Sequence, residues 1–409
     1  MKKTTFTIAY ILLFLFANQA IANNYVWIHG DKNNDNCWKL YDDAFTKGIS
    51  SRVKYGFSDN IPNTAEGIWQ ANNLNNNTGN ILIGYSVGGL IAREIENTHS
   101  SKIKGIITLG TPHDGIATYS ASSGINYTYN ELRGNLMGAW NMTAGTTLPI
   151  VGNVIISEVF INSEKDYLKN LPYYNNTNLD NYSTLEKNSI KNSSYMKSID
   201  SRKVNVPILC FAAEEDRWQL ARTLYCGKNM DNLQSNSDIN ADGSYDQTGY
   251  NQMNQMAQNC TVMGVGHTAL AVGFAALGAF VNPYFFILSG TNGLAAAAWY
   301  SNTSYINNSL DFNHAVYVGA FRYEDRTDCR QFLWWKTCTT KTYTIPESHD
   351  GIVSVKSQYL ATTKGTNVII PAATIKNVNH MEEFNHKNTK AEFSNAIEKG
   401  TYGPTFKKN

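Results

Sequence analysis

The sequence predicts an α/β protein, a mostly parallel central sheet flanked by helices and interrupted by large cap or lid insertions. Three observations predict it. Residues 25–28, 80–84 and 105–109 are compact β-branched and aromatic runs of the buried-strand type, and residues 87–97 between the last two carry Leu90, Ile91 and Ile95 at helical spacing. Strand, helix, strand in that order means parallel strands joined by a crossover.

Residues 1–22 open with Met1-Lys2-Lys3, continue through an apolar stretch over 6–17 and reach Ala20-Ile21-Ala22. A positive start, a hydrophobic centre and small residues at a cleavage point are the signature of an export signal, so a mature chain beginning near Asn23 is expected outside the cytosol, periplasmic or extracellular. The apolar stretch falls short of the roughly 20 residues a membrane span needs.

The first half of the core is expected over 23–120, beginning with the strand that empties into His29-Gly30. From 121 to 204 the pattern decays into Asn, Tyr, Ser and Thr, which reads as an insertion. A core strand returns within 205–216. A second insertion covers 217–313. Residues 72–79 and 236–251 are polar and biased, hence loop. Within the second insertion, residues 262–300 are mostly Ala, Gly, Leu, Val and Phe with a break at Asn282-Pro283. Two short helices are expected there, packed as a buried pair; the alternative is a lid or an element that touches a lipid surface. The second half of the core, 314–409, is read as strands at 315–321 and 367–375 and a final helix starting near Met381.

The hydrophobic share of 42% is ample for a large core, and a net charge of +1 gives no electrostatic case for nucleic acid. Six cysteines, at 37, 210, 226, 260, 329 and 338, can oxidise in an exported chain. The expected pair is Cys329 with Cys338, because residues 330–337 can form a hairpin loop between two short strands. Closing so short a loop contributes roughly 2–3 kcal/mol.

The chemistry centres on Gly84-Tyr85-Ser86-Val87-Gly88-Gly89. This is a G-x-S-x-G sequence with a strand directly before it and a helix directly after it. A serine on that turn is held in strained backbone angles that expose its Oγ, and Cβ atoms at the two glycines would have no room. The helix N-terminus behind it favours developing negative charge. A serine at its own pKa is a poor nucleophile, so a histidine must take its proton and an acid must orient that histidine. In this arrangement the acid and then the histidine follow the serine on loops after later strands.

His380 follows the last strand. Asp350 precedes it in Ser348-His349-Asp350-Gly351-Ile352-Val353, where glycine lets the chain reverse beside the carboxylate. Asp216, just past the strand of 206–213, is the competing acid; Asp350 is preferred for the Gly-Ile-Val after it and its nearness to His380. His113 is expected to brace the loop after a strand. His386 is expected on a different helical face from His380, and His99, His267, His314 and His349 are read as surface or satisfied histidines. For an oxyanion, the N–H of Val87 is one donor, and the turn after the first strand, at Asp31 or Gly30, supplies the other.

Five stretches together resemble the blocks of bacterial secreted triacylglycerol lipases and their esterase relatives: 26–30, 83–90, 108–115, 350–354 and 379–385. The resemblance implies an α/β-hydrolase fold with Ser86, Asp350 and His380 as a catalytic triad, acting on lipid or other acyl esters through an acyl-enzyme, with contact to a membrane surface as an accompanying expectation. Phospholipase or acyltransferase chemistry uses the same three residues, and an exported binding protein would keep them as scaffold. Tyr85 stands where many of these lipases carry histidine, and Asp31 replaces an apolar residue. The family often holds a structural calcium through an aspartate two residues after the histidine. That position is Glu382 here, no second ligand can be assigned, and no cofactor is required.

Overall fold

The computed structural model describes residues 23–30, 34–117 except 57 and 78, 184–215, 248–332 except 310, 313, 314, 316 and 317, 335–364, and 369–408 except 385. The export signal expected at 1–22, the bulk of the first insertion, Asp31, Asp216, Cys226 and His314 lie outside the described residues.

Six parallel strands form the sheet, in the order β2-β1-β3-β4-β5-β9. They are β1 (Asn24–Ile28), β2 (Ser50–Val53), β3 (Asn80–Tyr85), β4 (Ile103–Leu109), β5 (Ile208–Phe211) and β9 (Ile369–Pro371). A parallel pair, β6 (Ala213–Glu214) with β10 (Ile375–Lys376), continues the last two. Because side chains alternate along a strand, the sheet has two buried faces. Val26, Ile28, Leu82, Ile106 and Ile208 pack with α1 (Ile61–Ala71) and α2 (Val87–His99) on one face. Tyr25, Trp27, Ile81, Ile83, Ile107, Leu209 and Phe211 pack on the other with Phe393, Ile397 and Phe406 at the C-terminus. Three layers, a parallel sheet and a serine at the strand-to-helix turn after β3 make this the α/β-hydrolase fold.

Two short helices follow the insertion, α3 (Thr184–Ser189) and α4 (Ser194–Asp200), and α4 with the residues just after it is tied to the core. Glu94 of α2 accepts from the Tyr195 hydroxyl at 3.0 Å and from Arg202 at 2.8 Å.

Five expectations need correction. The apolar hairpin is built of long helices, α5 (Thr248–Phe280) and α6 (Tyr284–Ser304), and its large side chains are exposed, among them Phe280 at 89% and Leu294 at 66%. The loop read over 236–251 therefore ends where α5 begins. Residues 318–320 are turn rather than strand; the chain enters a two-stranded ribbon, β7 (Phe321–Phe332) with β8 (Trp335–Pro346), in which Cys329 and Cys338 face each other and are joined. Strand thus runs through 330–332 and 335–337, so these residues are no loop. The last helix, α7 (Lys387–Ile397), starts six residues later than expected, because a 3-10 turn at His380–Glu382 comes first.

Candidate active site

β1 and β3 are neighbours with β2 on the far side of β1, so the chain's direction across the sheet reverses between them. Such a switch point opens a crevice at the carboxyl ends of the strands. Ser86 sits there, directly after β3, and Gly30 faces it from the end of β1.

Ser86 has φ 54° and ψ −128°, the strained turn the motif predicts. Its N–H donates to Leu109 O at 2.9 Å, which pins the turn to β4. The glycines are there because backbone occupies the space of a side chain. A Cβ on Gly84 would lie 2.4 Å from Gly89 N, and one on Gly88 would lie 2.5 Å from His29 O. Gly89, outside the motif, is equally constrained: its Cβ would meet Thr111 Oγ1 at 2.0 Å.

The structure brings Ser86, His380 and Asp350 together across 294 residues of sequence. Ser86 Oγ is 3.0 Å from His380 Nε2, and His380 Nδ1 is 2.7 Å from Asp350 Oδ2. Since a carboxylate only accepts, Nδ1 carries the proton and Nε2 is left to accept from the serine hydroxyl. Asp350 is fully buried, and its other oxygen accepts from the N–H groups of Ile352 at 2.9 Å and Val353 at 2.7 Å. Gly351, at φ 100°, makes that turn. The backbone of the two loops is joined as well, His380 N–H to Asp350 O at 2.8 Å.

Sequence reasoning missed three residues of the site. The Tyr85 hydroxyl donates to His380 O at 2.5 Å and its ring lies 5.2 Å from the imidazole. Glu383 places Oε1 3.5 Å from His380 Nδ1, is fully buried, and among the described residues finds no hydrogen-bond partner for either oxygen. Burial raises the Glu383 pKa, with the facing imidazole working against the rise. Burial alone would lower the His380 pKa, but the Asp350 and Glu383 carboxylates outweigh it and hold it above the ordinary histidine value. His29 is the third. Burial lowers its pKa to about 4, so it is neutral, and Nδ1 must donate to Gly30 O at 2.8 Å. Stacked on Tyr55 at 4.0 Å, it fixes the turn beside Ser86. A histidine directly before Gly30 was a signal for this role.

The N–H of Val87 opens α2, where the first turn of a helix lacks intrahelical acceptors. Asp31, the other expected donor, is not among the described residues, although Gly30 before it lies against Ser86, its would-be Cβ 2.9 Å from Ser86 Cβ. His113 is buried, and desolvation together with Arg93 holds its pKa well below the ordinary value. Arg93 donates to its Nδ1 at 3.4 Å, so Nε2 donates to Thr108 Oγ1 at 3.3 Å, bracing the loop after β4. His386 shares no helix with His380; its ring caps α7 by accepting from Asn388 N–H at 3.2 Å. His99 stacks on Trp69, His267 pairs with Asn292 and His349 accepts from Gly351 N–H.

Calcium prefers six to eight oxygen ligands. Among the described residues, the acidic and imidazole groups that converge are Asp350, His380 and Glu383, and Glu382 is not one of them. An imidazole already hydrogen-bonded to Asp350 makes that cluster a poor calcium cage, so the residues present do not fit the ion.

The family model of palmitoyl protein thioesterases matches residues 33–210, a stretch that includes Ser86. No curated protein matches the chain. Among solved structures, the chain is similar to an extracellular α/β-hydrolase from a Paenibacillus species, at 15% identity over 46% of this chain and 76% of that one, with a TM-score of 0.27. It is similar to a Bacillus licheniformis lipase at 14% identity, over 54% of this chain and 77% of that one, with a TM-score of 0.30. A pyrethroid hydrolase from Sphingobium faniae JZ-2 is similar at 19% identity and a TM-score of 0.21; the match covers 23% of this chain and only 41% of that one.

Proposed function

We propose that the protein is an exported serine hydrolase that cleaves carboxylic esters of the lipase and esterase type through an acyl-enzyme on Ser86. The observation that carries this reading is the unbroken hydrogen-bond chain from Ser86 Oγ through His380 to Asp350 on a strained strand-to-helix turn. In the proposed reaction His380 Nε2 takes the Ser86 proton as Oγ adds to the substrate carbonyl. The oxyanion is held by the Val87 N–H and by a second N–H, that of Asp31 or Gly30. Collapse expels the alcohol, which leaves with the proton from His380; water, activated the same way, then releases the acid and regenerates Ser86.

A thioester leaving group is the second reading, supported by the match to the palmitoyl protein thioesterase family over the segment that holds the serine. The same residues serve both, because the sulfur or oxygen departs after the tetrahedral intermediate has formed.

The test is fluorophosphonate labelling and hydrolysis of p-nitrophenyl esters across acyl lengths, run beside hydrolysis of a palmitoyl thioester, on wild type and Ser86→Ala. Labelling and turnover that vanish in a folded Ser86→Ala protein support the reading, and the ratio of the two turnovers decides between ester and thioester. Wild type that is folded yet neither labels nor turns over either substrate overturns it in favour of a binding scaffold.

A further inference from the structure

Between Asp246 and Asp311 the sequence contains no Asp, Glu, Lys or Arg. This charge-free stretch holds the hairpin of α5 and α6, in which the polar His267, Asn292 and Asn302 are buried beside Ala295, Ala296 and Trp299 while large apolar side chains are exposed. Along the contact between the two helices, His267 meets Asn292 at 2.9 Å, Thr261 meets Thr303 at 3.3 Å, and the Ser289 hydroxyl donates to Ala271 O at 2.7 Å. Small residues let the helices close: a Cβ on Gly264 would strike the Tyr300 ring at 2.8 Å, and one on Gly278 the Phe286 ring at 2.9 Å. Meanwhile Val262, Val265, Val272, Val281, Ile287 and Leu294 point away from the contact and are exposed.

Water favours the opposite arrangement, and hydrocarbon favours this one, since between helices in lipid the attraction comes from close packing of small residues and shared hydrogen bonds. Dimensions agree. The apolar part of α5, Ala257–Phe280, has 24 residues and α6 has 21, about 36 Å and about 31 Å of helix, against a hydrocarbon thickness of about 30 Å. The charge pattern agrees too, since the nearest acidic residues in the sequence, Asp246 and Asp311, come before α5 and after α6 and are both far along the chain from the tip at Asn282-Pro283. A second copy of the chain laid on one side would leave the apolar residues of the other side in water.

We propose that α5 and α6 insert as an antiparallel two-helix hairpin into the hydrocarbon of a lipid bilayer, tip first, and tether the hydrolase core to a membrane. The proposal stands independently of the reaction at Ser86.

The experiment reconstitutes the full chain from detergent into phosphatidylcholine vesicles and reads flotation in a density gradient after alkaline extraction. Wild type is expected to float, equally at low and high salt because no charge holds it. A Val272→Lys, Leu294→Lys variant puts two ammonium groups on the outer surface, and each is expected to lower partitioning on the order of a hundredfold, leaving the protein at the bottom. A Val272→Leu, Leu294→Ile variant controls for folding and is expected to float, with helicity in detergent equal across all three. Wild type that stays with the soluble fraction, a lysine variant that floats with wild type, flotation lost in high salt, or a defined soluble dimer without detergent would each overturn the proposal.

Discussion

The Tyr85 hydroxyl donates to the main-chain oxygen of His380 at 2.5 Å, so the residue before the serine grips the loop that carries the histidine. Both residues are buried, so the acceptor is shielded from solvent. Tyr85→Phe is expected to cost about 1–3 kcal/mol of stability, the penalty for stranding a buried acceptor. It should also lower kcat by about ten- to hundredfold through a displaced imidazole, with KM nearly unchanged. Urea unfolding and ester kinetics on one preparation check both, and an unchanged kcat would mean that the loop is held without Tyr85.

Asp350 satisfies three donors with two oxygens: Ile352 and Val353 N–H on one and His380 Nδ1 on the other. Asn at this position must turn its amide nitrogen toward one of those donors. With the two backbone N–H groups claiming the oxygen, the amide faces His380, favours the tautomer protonated on Nε2, and leaves nothing to accept the Ser86 proton. Asp350→Asn is therefore expected to lose about 10⁴-fold in kcat while remaining folded. A variant as active as wild type would move the acid elsewhere, Asp216 being the rival residue.

The raised pKa of His380 sets the sign of the pH dependence. Only neutral imidazole accepts the serine proton, so activity must rise as pH rises through the His380 value, and that limb is expected above the ordinary histidine pKa of about 6.5. Glu383→Gln removes one of the two carboxylates that favour the imidazolium, so the limb should move to lower pH while the alkaline plateau stays within a few-fold of wild type. Profiles of kcat/KM for the two proteins test this; a limb that does not move would show that Glu383 is protonated throughout the range.

How much of this was legible beforehand differs between elements for physical reasons. The strands around Ser86 are buried on both faces, so they appear as continuous apolar runs and announced themselves, and the serine turn carried its own glycines. Asp350 was readable from the Gly-Ile-Val after it, of which Ile352 and Val353 donate their N–H groups to the carboxylate. The ribbon of β7 and β8 was not read as long strands because its two faces are largely exposed and carry no apolar period, although the repeated threonines at 337, 339, 340, 342 and 344 are a β-branched signal. Helix α5 was cut short at its start because its first turns are Asn and Gln rich. Glu383 escaped notice because its role depends on a 3-10 turn, which places a residue three positions on beside the imidazole, in a segment expected to be regular helix.

Gly110 provides the sharpest test of how Glu383 is accommodated. Its φ is +57°, and a Cβ there would sit 2.0 Å from Glu383 Oε2. Two costs are therefore superimposed in Gly110→Ala: the left-handed backbone, about 1–2 kcal/mol for a residue with a Cβ, and the collision, which adds about 1–3 kcal/mol as overpacking does in a core. Glu383→Ala removes the colliding carboxyl and leaves the backbone angle alone. Against that background Gly110→Ala should cost only the first amount, so a double-mutant cycle in urea is expected to return a coupling of about 1–3 kcal/mol. Zero coupling would mean that the Glu383 side chain swings away freely, and its carboxyl would then be no fixed neighbour of His380.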